Sequence, residues 1–336
     1  MKCCANCFID RQVRMELSRI SSVSGRCNYC GTANAAVVDP PALKDIFAPV
    51  VAIYATDADG KPLVDCLQDD WQLFDVGLLG PQGARSLLRD ILDDGELVRN
   101  AFSIAEQYRH PGMHDRWESL RDELITRNRY FPEAELDKDR FGELLDFLKG
   151  TAVPTTWFRA RVQQGAHPYE IDQMGAPPRD VASHGRANPP GIPYLYLASN
   201  RETAAAEIRP HTGETVCVAE FHVAKTLNVV DLREPRRLIS PFILGDEDLI
   251  ASLRSDIPFV ESLGQELTRP VVPHRAAIDY VPSQYLCELI KKKGWEGVLY
   301  RSSVGDGMNM ALFNPMQAVG DAVRQLTVSK VTVTVQ

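Results

Sequence analysis

Two pairs of cysteines near the start of the chain constrain its fold more than any other sequence feature. Cys4 and Cys7 form one C-x-x-C pair, and Cys27 and Cys30 form a second pair after nineteen intervening residues. Each pair can direct two thiolates at one ion, and two pairs complete a tetrahedron. This spacing is typical of zinc sites, whereas a redox function would need only one pair. We therefore predict a closed, structural Zn²⁺ site with these four ligands, and Cys3 as a weaker competitor for Cys4.

The charge distribution limits the classes of partner. The net charge is −8 over 336 residues, which argues against a generally cationic nucleic-acid-binding protein. Residues 1–150 carry a net charge of −7 and residues 151–336 only −1, which suggests different functions for the two halves. No apolar run approaches the ~20 residues of a membrane helix, and no signal-peptide core is evident at the start. We therefore expect a cytoplasmic protein without a membrane partner.

The pattern of apolar residues predicts an α+β protein. We expect a zinc-binding knuckle at 1–40, a mostly helical accessory domain at 41–150, a catalytic domain at 151–325 and a C-terminal tail at 326–336. In the catalytic domain, β-rich runs predict strands at Trp157–Val162, Ile192–Leu197, Val216–Val223, Leu227–Leu232, Gly297–Tyr300 and Met310–Phe313. Helices are predicted at Thr203–Arg209 and Ser283–Lys293, the second ended by a glycine.

The second half of the chain contains none of the common catalytic or nucleotide-binding motifs. It has no GxxxxGK[ST], no GxGxxG after a strand, no HExxH and no GxSxG. It offers instead polar residues within apolar, strand-like segments: Arg159, Arg161, Arg186, Asn188, Tyr196, Glu207 and Ser283. Taken singly, each has an ordinary structural explanation, such as an exposed strand charge for arginine or a helix N-cap for Ser283.

The order of these residues resembles that of the RES domain family, named for its Arg, Glu and Ser. The matching segments cover about half of the chain: WFRAR from Trp157, GRAN from Gly185, PYLYLA from Pro193, TAAAEIR from Thr203, YVPSQ from Tyr280 and NMALF from Asn309. The cysteine-rich front half is similar, more loosely, to the zinc-knuckle and HEPN-like helical extension of some RES proteins. The resemblance implies an ADP-ribosyltransferase-like fold with two small β-sheets around an NAD⁺ cleft.

The resemblance also implies a function. RES proteins act as NAD⁺-depleting toxins, so it implies an NAD⁺ phosphorylase or NAD⁺ glycohydrolase, with inorganic phosphate as co-substrate in the first case. It implies catalytic roles for Arg159, Glu207 and Ser283. Further residues are implied to bind NAD⁺ together with these three: Arg161, Arg186, Asn188 and Tyr196. Glu207 would stabilise the oxocarbenium-like transition state, and Arg159 and Arg186 would bind phosphates.

Several alternatives remain open at this point. The same cleft suits transfer of ADP-ribose to a macromolecule. A zinc-dependent RNA-binding or RNA-cleaving module would use the spacing of Arg109 and His114, although Pro111-Gly112 predicts a loop there. Family members are often paired with an antitoxin, which implies an antitoxin or regulatory partner and a place in bacterial defence. A homo-oligomer is also left open.

Overall fold

The computed structural model describes residues 1–97 and 99–332, and these form two compact units. The first unit comprises Met1–Asp115 and Arg236–Val260, and the second comprises Arg116–Pro235 and Glu261–Gln336. The mixed α+β composition predicted from the sequence is confirmed. The four domain boundaries predicted above remain a proposal, and the last four residues of the predicted tail lie outside the described residues. No described helix is both long and apolar enough to span a bilayer.

The first unit combines small sheets with helices. Its strands and helices are β1 Cys3–Cys4, α1 Arg11–Ile20, β2 Val23–Gly25, β3 Ala35–Val38, α2 Lys44–Ala52, β4 Tyr54–Pro62, α3 Leu63–Trp71, α4 Val76–Leu92, β5 Ala101–Ile104 and the start of α5 His114–Thr126. Strand β3 lies between β1 and β2, and β4 pairs with β5. Phe8 packs on Phe74 with ring centroids 5.6 Å apart, and Phe47 packs on Phe242 at 4.9 Å. These buried rings form the apolar centre of the unit.

The second unit is built on a mostly antiparallel sheet. Its elements are α6 Lys138–Phe147, β6 Thr156–Val162, β7 Leu195–Ala198, α7 Arg201–Glu207, β8 Thr215–Val223, β9 Val229–Asp231, the end of α8 Glu247–Thr268, α9 Ala276–Asp279, α10 Val281–Lys292, β10 Gly297–Arg301, β11 Met308–Leu312 and β12 Ala318–Thr327. Seven described strands lie in the order β12-β8-β6-β7-β11-β10-β9. All six predicted strands and both predicted helices are present, with ends shifted by up to three residues.

The resemblance implied two small sheets, and the structure forms one sheet with a weak centre. Strand β6 pairs with β8 over its whole length but with β7 through a single residue pair, Phe158 and Ala198. Hydrogen bonding is therefore continuous, yet the sheet divides into β12-β8-β6 and β7-β11-β10-β9. The strands diverge at this junction, and polar side chains lie around the resulting opening.

Alternating side chains on these strands form two apolar layers. In β8, Cys217, Ala219 and Phe221 face a layer that contains Trp157, whereas Val216 and Val218 face a smaller layer on the other side of the sheet. This is the period of two expected for a strand buried on both faces. Three small alanines let α7 pack closely on the smaller layer, which brings the end of that helix to the junction of β6 and β7.

Candidate functional site

A cleft of about 330 Å³ opens at the junction of β6 and β7, within the size range of small-molecule sites. Four of the residues predicted from the sequence line it: Arg159, Arg186, Tyr196 and Glu207. It is also lined by residues that the sequence analysis did not assign to a site: Phe158, His184, Tyr280, Tyr300 and Asn309. Cations, one carboxylate and several rings therefore share one cavity, whose lining lies wholly within the second unit.

Arg159 lies in the middle of β6 and forms one side of the cleft. Its Nη1 atom donates to the backbone oxygen of Tyr196 at 3.2 Å, and its Nε atom is buried without a hydrogen-bond partner among the described residues. Burial, together with repulsion from Arg161, lowers the pKa of Arg159 to about 10. A buried cation in this setting favours an anionic ligand.

Arg186 forms a second cationic side of the cleft. Its Nη1 donates to the backbone oxygen of Arg269 at 2.7 Å and its Nη2 donates to the Ser303 hydroxyl at 3.2 Å, while the guanidinium stacks over the Tyr280 ring at 5.4 Å. In the described part of the chain, neither Arg159 nor Arg186 forms an ion pair with a carboxylate. Their charge is therefore available to a bound anion.

Ser283 and Asn188 hold the loop that carries Arg186. The fully buried Ser283 hydroxyl lies 2.6 Å from the backbone oxygen of Arg186 and 3.0 Å from that of Tyr280. Asn188 accepts from the Tyr196 hydroxyl at 2.7 Å, and that hydroxyl accepts from the Ala187 N–H at 2.9 Å. Neither Ser283 nor Asn188 lines the cleft, so the contacts of both are those of positioning residues.

Arg161, the remaining predicted ligand-binding residue, lies outside the cleft lining. It is exposed, stacks over the Tyr169 ring at 4.5 Å and donates to the backbone oxygen of Gln173. The two arginines of β6 are thus separated: the guanidinium of Arg159 reaches the cleft, and that of Arg161 lies over the segment after β6. Its described influence on the cleft is the repulsion that lowers the pKa of Arg159.

Glu207 is the last residue of α7 and supplies the carboxylate. Its Oε1 atom accepts from the Ser302 hydroxyl at 2.7 Å and from Nδ2 of Asn309 at 2.5 Å. Ser302 follows β10 and Asn309 lies in β11, so the carboxylate is held by one hairpin. Sequence reasoning used Asn309 only as part of a motif and missed Ser302, because neither has a recognisable spacing from Glu207.

In the first unit the four predicted cysteines come together. The Sγ atoms of Cys4, Cys7, Cys27 and Cys30 all lie within 4.8 Å of one another, with Cys4–Cys30 at 3.5 Å and Cys7–Cys27 at 3.4 Å. Metal–sulfur bonds of about 2.3 Å at a tetrahedral ion imply sulfur separations of about 3.8 Å, so this donor set fits a tetrahedral metal. Cys3 does not belong to the group, because successive side chains in β1 point to opposite faces.

The segment considered for RNA cleavage has no comparable arrangement. Arg109 lies in irregular backbone, as the Pro-Gly pair predicted, and donates to the backbone oxygen of Ile104. His114 begins α5, and the neighbouring His110 lies 3.8 Å from Asp248. These side chains are therefore engaged locally and do not converge on a common point.

Comparison with known proteins places the second unit in a family. No curated protein matches the chain at a significant level. One chain of the crystal structure of the M. tuberculosis MbcT–MbcA toxin–antitoxin complex is 17% identical, aligned over 56% of this chain and 92% of that chain, with a TM-score of 0.34. The family model described as the RES domain matches residues 156–334. Since this match spans more than half of the sequence and includes every residue of the cleft, the chain belongs to the RES domain family.

Proposed function

We propose that the cleft binds NAD⁺ and cleaves its nicotinamide–ribose bond, with water or inorganic phosphate as the acceptor. RES-domain toxins are NAD⁺-degrading enzymes, and membership of the family supplies the substrate class. The observation that carries the proposal is the cleft itself, in which two arginines without carboxylate partners lie with one fixed glutamate. This is the combination that a dianionic substrate with a cationic leaving group needs.

The arginines account for binding of the pyrophosphate. Guanidinium groups bind phosphate oxygens through paired, charge-assisted hydrogen bonds. The Nε atom of Arg159 has no described acceptor, and a phosphate oxygen would supply one. Arg186 is already oriented by the carbonyl of Arg269 and the ring of Tyr280, so little rotamer freedom remains to be lost on binding.

The carboxylate of Glu207 accounts for the chemical step. When the C1′–N1 bond breaks, its electron pair neutralises the nicotinamide nitrogen, and positive charge develops on the ribose ring. A fixed carboxylate beside that ring stabilises the developing charge. An oxygen of water or phosphate then bonds to C1′. Water gives ADP-ribose and releases a proton to solvent, and phosphate gives ADP-ribose 1″-phosphate.

The aromatic residues and Ser283 complete the proposed site. Tyr196 would pack against a ring of the substrate, held by the bonds of its hydroxyl to Asn188 and Ala187. The sequence assigned Ser283 a direct catalytic role, and this stays a prediction. Its described contacts support a role through the Arg186 loop instead.

The first unit is proposed to bind Zn²⁺ through Cys4, Cys7, Cys27 and Cys30. When bound, zinc would supply structural cross-linking, since four sulfur ligands leave no open coordination position. Burial raises the pKa of Cys4 to about 12, so without a cation this thiol stays protonated at neutral pH. An antitoxin or regulatory protein as partner is proposed on the family resemblance alone.

The function is tested by incubating the purified chain with NAD⁺ and following the products by phosphorus NMR. Parallel reactions contain phosphate buffer or a phosphate-free buffer. We expect loss of NAD⁺ in at least one of them, with ADP-ribose 1″-phosphate marking phosphorolysis and ADP-ribose marking hydrolysis. Radiolabel appearing on an added protein or RNA would favour ADP-ribosyl transfer. Unchanged NAD⁺ in both buffers would contradict the proposal.

A further inference from the structure

The turn that joins β10 to β11 contacts the proposed catalytic carboxylate through Ser302. The Ser302 hydroxyl accepts from the backbone N–H groups of Val304 at 3.2 Å and Gly305 at 3.0 Å. A hydroxyl has two acceptor positions and one proton to donate. Because both acceptor positions are occupied, the proton is directed at Oε1 of Glu207, 2.7 Å away. The turn thus fixes the direction of this hydrogen bond.

Asn309 supplies a second donor from the other strand of the hairpin. It is 4% exposed, and its Nδ2 lies 2.5 Å from the same Oε1 atom of Glu207. In the described part of the chain no donor contacts Oε2. Both bonds therefore fall on one oxygen, and the second oxygen is left for whatever occupies the cleft.

The position of Glu207 makes this support necessary. It is the last residue of α7, and the end of a helix carries partial negative charge that disfavours a carboxylate. The side chain is also exposed at the cleft, where a glutamate with three rotatable bonds would otherwise sample several orientations. Two charge-assisted hydrogen bonds offset both effects.

We propose that Ser302 and Asn309 are positioning residues that fix Oε1 of Glu207 and present Oε2 to the ligand. This inference rests on the proposed function, in which Glu207 faces the reacting ribose. It assigns to the β10–β11 hairpin a role in orienting the carboxylate rather than in binding substrate. The rate of the chemical step therefore depends on the hairpin more strongly than substrate affinity does.

The test compares three substitutions at one position in the full chain. Ser302→Ala removes the donor and also the acceptor of the turn. Ser302→Asp keeps an acceptor for the two backbone N–H groups but has no proton to donate, and Ser302→Thr keeps both. We expect kcat for NAD⁺ cleavage to fall about tenfold or more in the Ala and Asp variants, with KM changed less than about twofold. Ser302→Thr should stay near the wild-type kcat.

The outcomes separate this inference from the function on which it rests. If the wild-type chain consumes no NAD⁺, the proposed function fails before any variant is compared. If the wild type is active and Ser302→Asp keeps its kcat, Ser302 serves only the turn and the positioning role is wrong. The same conclusion follows if Ser302→Thr loses as much kcat as Ser302→Ala, or if KM rises and kcat does not fall. Ser329→Ala, at an exposed serine of the same unit, is the matched control.

Discussion

Replacing Arg159 with methionine is expected to remove activity and at the same time to stabilise the fold. The guanidinium is buried beside Arg161 and lacks a carboxylate partner, which lowers its pKa to about 10. An ordinary arginine titrates above about 12, so this depression corresponds to ~3 kcal/mol of unfavourable free energy for the charged form. Solvent screening of a partly exposed group reduces the figure to ~1–2 kcal/mol. Methionine fills a similar volume without the charge.

The sign of the effect follows from proton binding. The folded chain binds the Arg159 proton less tightly than the unfolded chain does, so the penalty is fully present at neutral pH. Stability rises with pH only above about 10, where the folded form begins to lose this proton. At pH 7 the Arg159→Met variant is therefore expected to unfold roughly 2–6 °C higher than the wild type.

The assay is thermal unfolding followed by circular dichroism, paired with NAD⁺ turnover. We expect kcat/KM to fall by about 100-fold in the variant, because a charge-assisted phosphate contact is lost. Addition of NAD⁺ should raise the unfolding temperature of the wild type and leave that of the variant unchanged. Arg324→Met, at an exposed arginine of β12, is the matched control and should change stability by less than ~0.5 kcal/mol. A variant that unfolds below the wild type, or that keeps its turnover, would refute the reasoning.

Three further predictions concern the supports of the two sites. Ser283→Ala should lower the free energy of unfolding by ~1–3 kcal/mol in denaturant titrations and reduce kcat/KM, since it removes the buried hydroxyl bonded to the Arg186 carbonyl; wild-type values for both would contradict it. Gly185→Ala should impair turnover, because an added Cβ would lie 2.4 Å from both Asn188 Oδ1 and the Tyr196 hydroxyl; a fully active variant would show that this loop yields easily. Metal analysis of the purified chain should give one zinc per chain, lost in Cys27→Ser together with a lower unfolding temperature; equal zinc in both would exclude the cluster.

The sequence was most informative where local spacing determines geometry. The C-x-x-C pairs bring four thiols together because each pair spans one tight turn, and the structure groups Cys4 with the others rather than Cys3. The alternation around Trp157 and in β8 predicted strands buried on both faces, and the alanine-rich segment predicted the helix that ends at Glu207. Each of these depends on residues within a few positions of one another.

The sequence was least informative where distant segments meet. Ser302 contacts Glu207 across 95 positions and Ser283 contacts the Arg186 carbonyl across 97, and no local pattern encodes such pairs. Arg159 and Arg161 have the same spacing from the strand ends and the same chemistry. Only the divergence of β6 from β7 directs one of them into the cleft. Strand β12 was also underestimated, because its mixed polar pattern at a sheet edge predicts a loose end as readily as a strand.

The central claim is that Glu207 promotes cleavage of the nicotinamide–ribose bond. Its most direct test is the rate of nicotinamide release from NAD⁺, measured by chromatography for the wild type, Glu207→Gln and Glu202→Gln. Glu202 is an exposed carboxylate in the first turn of the same helix, so its substitution controls for the change of charge in α7. We predict that Glu207→Gln abolishes release while the chain remains folded, and that Glu202→Gln releases nicotinamide at the wild-type rate. Wild-type release by Glu207→Gln would contradict the account.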